Sequence, residues 1–149
     1  MQAREAVRRP PVTIPSGASI ADAARLMDRR AVGAVVVVDG DRPVGIVTDR
    51  DLAIRGLGRQ LSGDDSVDRV MTHDPVTLPA GADLRDAIKV FYRHPLRRLP
   101  LVEDGRMVGM LTVDDLVLDL VNDLDSLVRP VFGQVIFGGP DSQPADDDD

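Results

Sequence analysis

The strongest constraint on this chain is an internal repeat held in unbroken register. Gly45-Ile46-Val47-Thr48-Asp49-Arg50-Asp51 recurs as Gly109-Met110-Leu111-Thr112-Val113-Asp114-Asp115, a step of 64 positions. The same step carries Pro11-Val12-Thr13 onto Pro75-Val76-Thr77, Pro15 onto Pro79, Gly17-Ala18 onto Gly81-Ala82, Asp22-Ala23 onto Asp86-Ala87, Arg42 onto Arg106, and Val44-Gly45 onto Val108-Gly109. One supersecondary unit is therefore used twice, and neither copy is expected to bury its apolar face alone.

Each unit reads in the same order. Val12-Thr13-Ile14 and Val76-Thr77-Leu78 are expected as short strands stopped by proline. Ser19 and Asp83 then cap helices whose apolar residues recur at helical spacing, Ile20, Ala23, Ala24 and Met27 in one copy and Leu84, Ala87, Ile88 and Phe91 in the other. The continuous apolar runs Ala34 to Val38 and Leu99 to Val102 are too short and too rich in β-branched residues for helices, and read as buried strands. Turns at Asp39-Gly40-Asp41 and Glu103-Asp104-Gly105 lead into return strands, Val44 to Val47 and Val108 to Leu111.

A final helix follows each Thr. The first ends around Gly56 and Gly58, while the second carries the stripe Val113, Leu116, Val117, Leu120, Val121 and Leu124. The order is β-α-β-β-α, twice, in an α/β fold. This divides the chain into an extension (1–8), a first repeat (9–59), a polar linker (60–68), a second repeat (69–124) and a C-terminal extension (125–149). Within that extension, Leu127 to Gly138 has enough β-branched residues for a short strand covering an apolar surface of its own subunit or a partner, and DSQPADDDD reads as a solvated, disordered tail.

Composition excludes several classes of function. A net charge of −7 argues against general nucleic-acid binding, which draws its affinity from Lys and Arg on phosphates. With no Cys and only His73 and His94, there is no thiolate chemistry, no Cys-based zinc site, and no basis for a His-built metal site or catalytic triad. No P-loop or nucleophile–base pair is visible, so an enzyme is not expected. The chain also has no membrane-length apolar run, and its first residues, MQAREAVRRPP, lack a signal peptide's apolar core. A cytoplasmic protein with no membrane partner is expected.

The repeated Thr-x-x-Asp has a plain physical reading. Thr48 and Thr112 stand where an N-cap belongs, and Asp51 and Asp115 stand at N3 of a capping box, where a carboxylate can accept a hydrogen bond from the cap's own amide.

The two intact Gly-apolar-apolar-Thr-x-x-Asp motifs, together with HPLRRLPLVEDGRMVGMLT and DGDRPVGIVTDRDL, resemble the cystathionine-β-synthase (CBS) domain, specifically the tandem pair called a Bateman module. The resemblance covers roughly residues 9 to 124, and small stand-alone bacterial members look most similar. It implies two repeats packed through their sheets about a pseudo-twofold axis, two symmetry-related clefts, and a homodimer.

The resemblance also implies a second use for the motif. Asp51 and Asp115 would accept the 2′- and 3′-hydroxyls of an adenosine ribose, a charge-assisted contact between two donors and a carboxylate. Thr48 and Thr112 would lie near the ribose or phosphate, and main chain at Val12, Thr13 and Ile14 or Val76, Thr77 and Leu78 would read the adenine. Arg97 and Arg98 stand where nucleotide-binding members often carry phosphate-contacting basic residues, and their counterparts are Gly33 and Ala34. Their alternative reading is a pair of strand-start charges, and Arg93 and His94 read as helix-terminal charges.

The implied function is a non-catalytic regulatory module with no obligatory cofactor. It would sense AMP, ADP, ATP or S-adenosylmethionine and modulate a homodimer or a separate, unidentified protein partner. The alternative is a ligand-free dimerising scaffold in which both motifs are caps only.

Overall fold

The computed structural model describes residues 1–137; Gly138 and the acidic DSQPADDDD end lie outside the described residues. Residues 1–115 form one compact unit, and the chain from Leu116 forms a second.

In the first repeat, β1 (Thr13–Pro15) leads through α1 (Ile20–Arg30) to the hairpin of β2 (Ala34–Asp39) and β3 (Arg42–Thr48). Helical structure then runs through α2 (Asp49–Asp51), a π turn (Leu52–Gly56) and a 3-10 turn (Leu57–Arg59), ending one residue past the Gly56 and Gly58 at which the sequence placed its stop. β4 (Thr72–His73), which the sequence reading placed in the second repeat, pairs with β3 of the first. The second repeat has β5 (Leu78–Pro79), α3 (Leu84–Arg93), β6 (Arg98–Glu103), β7 (Arg106–Thr112) and α4 (Val113–Phe137). β1 and β5 run parallel to β2 and β6, and the hairpins are antiparallel.

The predicted caps form. Ser19 Oγ accepts the Asp22 amide at 3.0 Å and Asp83 Oδ1 accepts the Arg85 amide at 2.8 Å. On each helix the inward face is narrower than the sequence suggested. Ala23, Met27 and Ala87 are buried, but Ala24 and its counterpart Ile88 are exposed, because Leu26 and Val90 take the inward places beside them.

The 64-residue correspondence extends to residues outside the sequence-defined repeats. The Val67 amide donates to Ala18 O at 2.7 Å and the Ile20 amide to Asp65 O at 2.9 Å; in the second repeat the Ala3 amide donates to Ala82 O at 2.8 Å and the Leu84 amide to Met1 O at 2.9 Å. Residues 1–7 thus attach to the second repeat as residues 65–71 attach to the first. They complete each core in the same way: Val67, Val70 and Met71 join Ile14, Met27, Val35, Val37 and Val47, while Ala3 and Ala6 are fully buried at the corresponding positions. This interlock leaves an N-terminal segment and a connector as parts of the fold.

One substitution between the repeats shapes an edge. In the first repeat the Val36 amide donates to Val12 O at 3.0 Å. Pro100 stands in that place in the second and has no amide hydrogen, so the pairing begins later and β5 has two residues where β1 has three. Val76 and Thr77, expected in a strand, consequently lie outside β5, and Val12 precedes β1 although its carbonyl accepts the Val36 amide.

The expected strand at Leu127 to Gly138 is instead helix through Phe137. Leu127, Val128 and Val131 continue the helical spacing of Leu120 and Leu124, and no Gly interrupts the chain between them. The continuous helical period outweighs the β-branched composition.

The interlock depends on Gly45. A Cβ there would overlap Met71 Sδ and lie 2.8 Å from Met71 Cγ, whereas at Gly109 the nearest atom, Val7 Cγ2, is 3.6 Å away. Gly45→Ala is expected to cost about 1–3 kcal/mol by overpacking, and Gly109→Ala under about 1 kcal/mol. Urea unfolding of the two variants checks this, and equal losses would count against the packing asymmetry.

Candidate functional site

Both junctions between hairpin and final helix have the same backbone. Ala34 faces Thr48 across the first hairpin and Arg98 faces Thr112 across the second. The Asp49 amide donates to Gly33 O and the Val113 amide to Arg97 O, each at 3.0 Å, which ties the helix start to the neighbouring strand.

The capping boxes are complete. The Thr48 amide donates to Asp51 Oδ2 at 2.9 Å and the Asp51 amide to Thr48 Oγ1 at 3.1 Å. Thr112 and Asp115 repeat this at 3.0 and 3.1 Å. Each carboxylate thus commits one oxygen to the cap. A carboxylate has about four lone-pair positions, so Oδ1 and the second position on Oδ2 remain for other donors.

The two aspartates differ in their surroundings. Asp115 is 8 % exposed and is the one buried charged residue among the described residues. Asp51 is half-buried, with its Oδ1 3.8 Å from Arg55 Nε, and Arg55 Nη1 donates to Val70 O and Met71 O at 3.3 and 3.4 Å. Arg55 therefore links the first capping aspartate to the connector. Sequence reasoning passed over it, although its i,i+4 spacing from Asp51 was the available signal.

Beside the second junction, a surface indentation is lined by Arg97, Arg98, Thr112, Val113 and Asp114. The structure therefore brings both predicted arginines together with the predicted threonine. Among the described residues, neither guanidinium has an ion pair or hydrogen bond. Asp114, which the sequence reading did not select, adds a carboxylate to the rim. Asp115 is not in this lining.

The main-chain candidates lie on the far side of the central strands, at the sheet edges. β1 and β5 are edge strands in the orders β1-β2-β3-β4 and β5-β6-β7. Parallel pairing uses alternate residues, so with Val12 O bonded to Val36, Thr13 turns its amide and carbonyl outward from β2. Ile14 and Leu78 are buried, whereas Thr13, Val76 and Thr77 are exposed. Among the described residues there is no group of three His, Cys, Asp or Glu residues placed to hold a metal, and no helix long and apolar enough to cross a membrane.

The family model described as CBS domain matches residues 3–57 and again 67–122, with the two starts 64 residues apart. The CBS domain-containing protein YhcV of Bacillus subtilis is 32% identical over 111 residues, spanning 74% of this chain and 79% of that protein. Among solved structures, the CBS domain protein PAE2072 from Pyrobaculum aerophilum complexed with AMP is 27% identical with a TM-score of 0.70, covering 82% of this chain and 99% of that one. The CBS domain pair of MJ0100, in complex with 5′-methylthioadenosine and S-adenosyl-L-methionine, shares the fold at a TM-score of 0.71 and 22% identity, covering 83% of this chain and 98% of that one.

The caps make a prediction independent of any ligand. Thr48→Ala and Thr112→Ala should each cost about 1 kcal/mol, because each removes the acceptor for one otherwise unpaired helix amide. Chemical denaturation measures this, and a loss at only one position would show that the junctions are not equivalent.

Proposed function

The chain belongs to the CBS domain family, and on that premise we propose that it is a regulatory, non-catalytic module that binds an adenosine-containing ligand, with a phosphorylated adenosine in the second cleft. The carrying observation is the pair of unpartnered guanidiniums, Arg97 and Arg98, beside Thr112 and its capping Asp115. Ribose hydroxyls donate to the lone pairs that Asp115 does not spend on its cap, and a 5′-phosphate lies within reach of an arginine one cross-strand step from Thr112. The Pro100 substitution supports adenine binding on the same repeat, since it removes the amide that would otherwise face Val76 O. The AMP complex of the Pyrobaculum relative supports the ligand class.

Isothermal titration tests this reading. Asp115→Asn replaces a charged acceptor with an amide and should weaken AMP by about 1.5–3 kcal/mol, more than tenfold. Replacing Arg97 and Arg98 with Ala should weaken AMP far more than adenosine. An adenosyl ligand indifferent to Asp51→Asn and Asp115→Asn would return both motifs to caps alone and favour the ligand-free scaffold.

The module acts as a homodimer in this reading. Val117, Leu120, Val121, Leu124, Leu127, Val128 and Val131 form an apolar stripe on α4, and every one of them is exposed in the single chain. A second copy presenting the same stripe is a self-complementary partner. Light scattering is expected to give twice the 16.1 kDa chain mass, with Leu120→Asp plus Leu124→Asp returning it to one. A wild-type monomer at micromolar concentration would remove this claim. The regulated output is a separate protein in this reading, in the cytoplasm.

A further inference from the structure

The first cleft is not an impoverished copy of the second, because its charge is inverted at the point where the arginines stand. Gly33 replaces Arg97, Ala34 replaces Arg98, and Asp49 replaces Val113. A Cβ built on Gly33 would lie 3.2 Å from Asp49 Oδ2 and 3.7 Å from its Oδ1. The Asp49 carboxylate therefore overlies the surface from which the Arg97 side chain departs in the second repeat. It is held there by the Arg50 amide, which donates to Oδ1 at 2.8 Å.

This carboxylate is also unneutralised. Among the described residues, no cation lies within ion-pair distance of Asp49, and the Arg50 guanidinium is not paired with it. Arg55, the nearby cation that does form an ion pair, is directed to Asp51 and to the connector carbonyls. Counting the rims, the second junction carries Arg97, Arg98 and Asp114, and the first carries Asp49 and Arg50. The net difference is one positive charge, and the group nearest the Gly33 position is an anion.

We propose that the first cleft takes an adenosyl ligand whose 5′ substituent is positively charged, a sulfonium, and rejects a 5′-phosphate, so that the two clefts sort adenosyl compounds by charge. This rests on the ribose reading of the two Thr-x-x-Asp motifs. Given that reading, a ribose held at Thr48 and Asp51 directs its 5′ substituent toward Gly33 and Ala34, as Arg98 stands opposite Thr112 in the second repeat. A phosphate there meets the Asp49 carboxylate where the second repeat presents Arg97 and Arg98. A sulfonium meets an anion that has no ion pair among the described residues.

The test uses the wild-type chain, with S-adenosylmethionine and S-adenosylhomocysteine as a pair of probes that differ by the sulfonium methyl and its charge. AMP is expected to bind at one site per chain. With AMP saturating, S-adenosylmethionine should still bind, about fivefold more tightly than S-adenosylhomocysteine, the upper range for an exposed ion pair. Asp49→Asn should abolish that preference while leaving S-adenosylhomocysteine affinity unchanged, and should permit a second AMP to bind. Two equal AMP sites per wild-type chain, or equal affinities for the two adenosyl probes, would overturn the sorting by charge and leave the adenosyl reading standing. Absence of adenosine, AMP and S-adenosylhomocysteine binding at either cleft would overturn the adenosyl reading and this proposal with it.

Discussion

The architecture turns on the reciprocal Thr–Asp capping box at the end of each hairpin. One amide-to-carboxylate bond and one amide-to-hydroxyl bond, all between 2.9 and 3.1 Å, fix where the strand stops and the helix starts. Because the box sits one cross-strand step from the start of β2 or β6, it also fixes which residues lie beside the carboxylate. Everything distinctive about the two clefts follows from what the sequence places at those neighbouring positions. The backbone is common, and the charge is not.

The interlock of the two repeats makes that common backbone possible. Residues 1–7 and 65–71 each lie along one repeat while preceding the other in sequence, so the fold is closed by segments with little sequence identity. Ala3 and Ala6 do the work of Val67 and Val70 with smaller side chains, and Val7 takes the place of Met71. The glycine of each Gly-apolar-apolar-Thr motif belongs to this packing. At Gly45 it makes room for Met71, while at Gly109 a Cβ would meet Val7 only at ordinary contact distance.

Much of this was legible in the sequence, because the repeat doubled every signal. Two copies of the same proline, cap and Thr-x-x-Asp located strands, helices and both junctions, and the continuous apolar runs Ala34 to Val38 and Leu99 to Val102 marked the buried strands that contain Val35, Val37, Leu99 and Leu101. Four features were hidden for physical reasons. The lead segment escaped because volume-filling by Ala3 and Ala6 leaves no identity with Val67 and Val70. The short β5 came from a missing hydrogen at Pro100, in a strand that reads as apolar. The end of α4 was misread because Val128, Val131 and their neighbours have strand-forming side chains at helical spacing. Asp49 looked like one charge among several at a helix start, and only the space above Gly33 shows where its carboxylate lies.

The central claim is that the capping carboxylate also receives ribose, doing both tasks at once. Nitrogen–proton NMR on the chain titrated with AMP tests it most directly, since the Thr112 and Asp115 amides are the donors of the cap itself. The account predicts saturable shifts at Thr112, Asp115, Arg97 and Arg98, with both cap amides remaining protected from hydrogen exchange in the complex. Binding that leaves these four residues unshifted, or that exposes the cap amides to exchange, would contradict it.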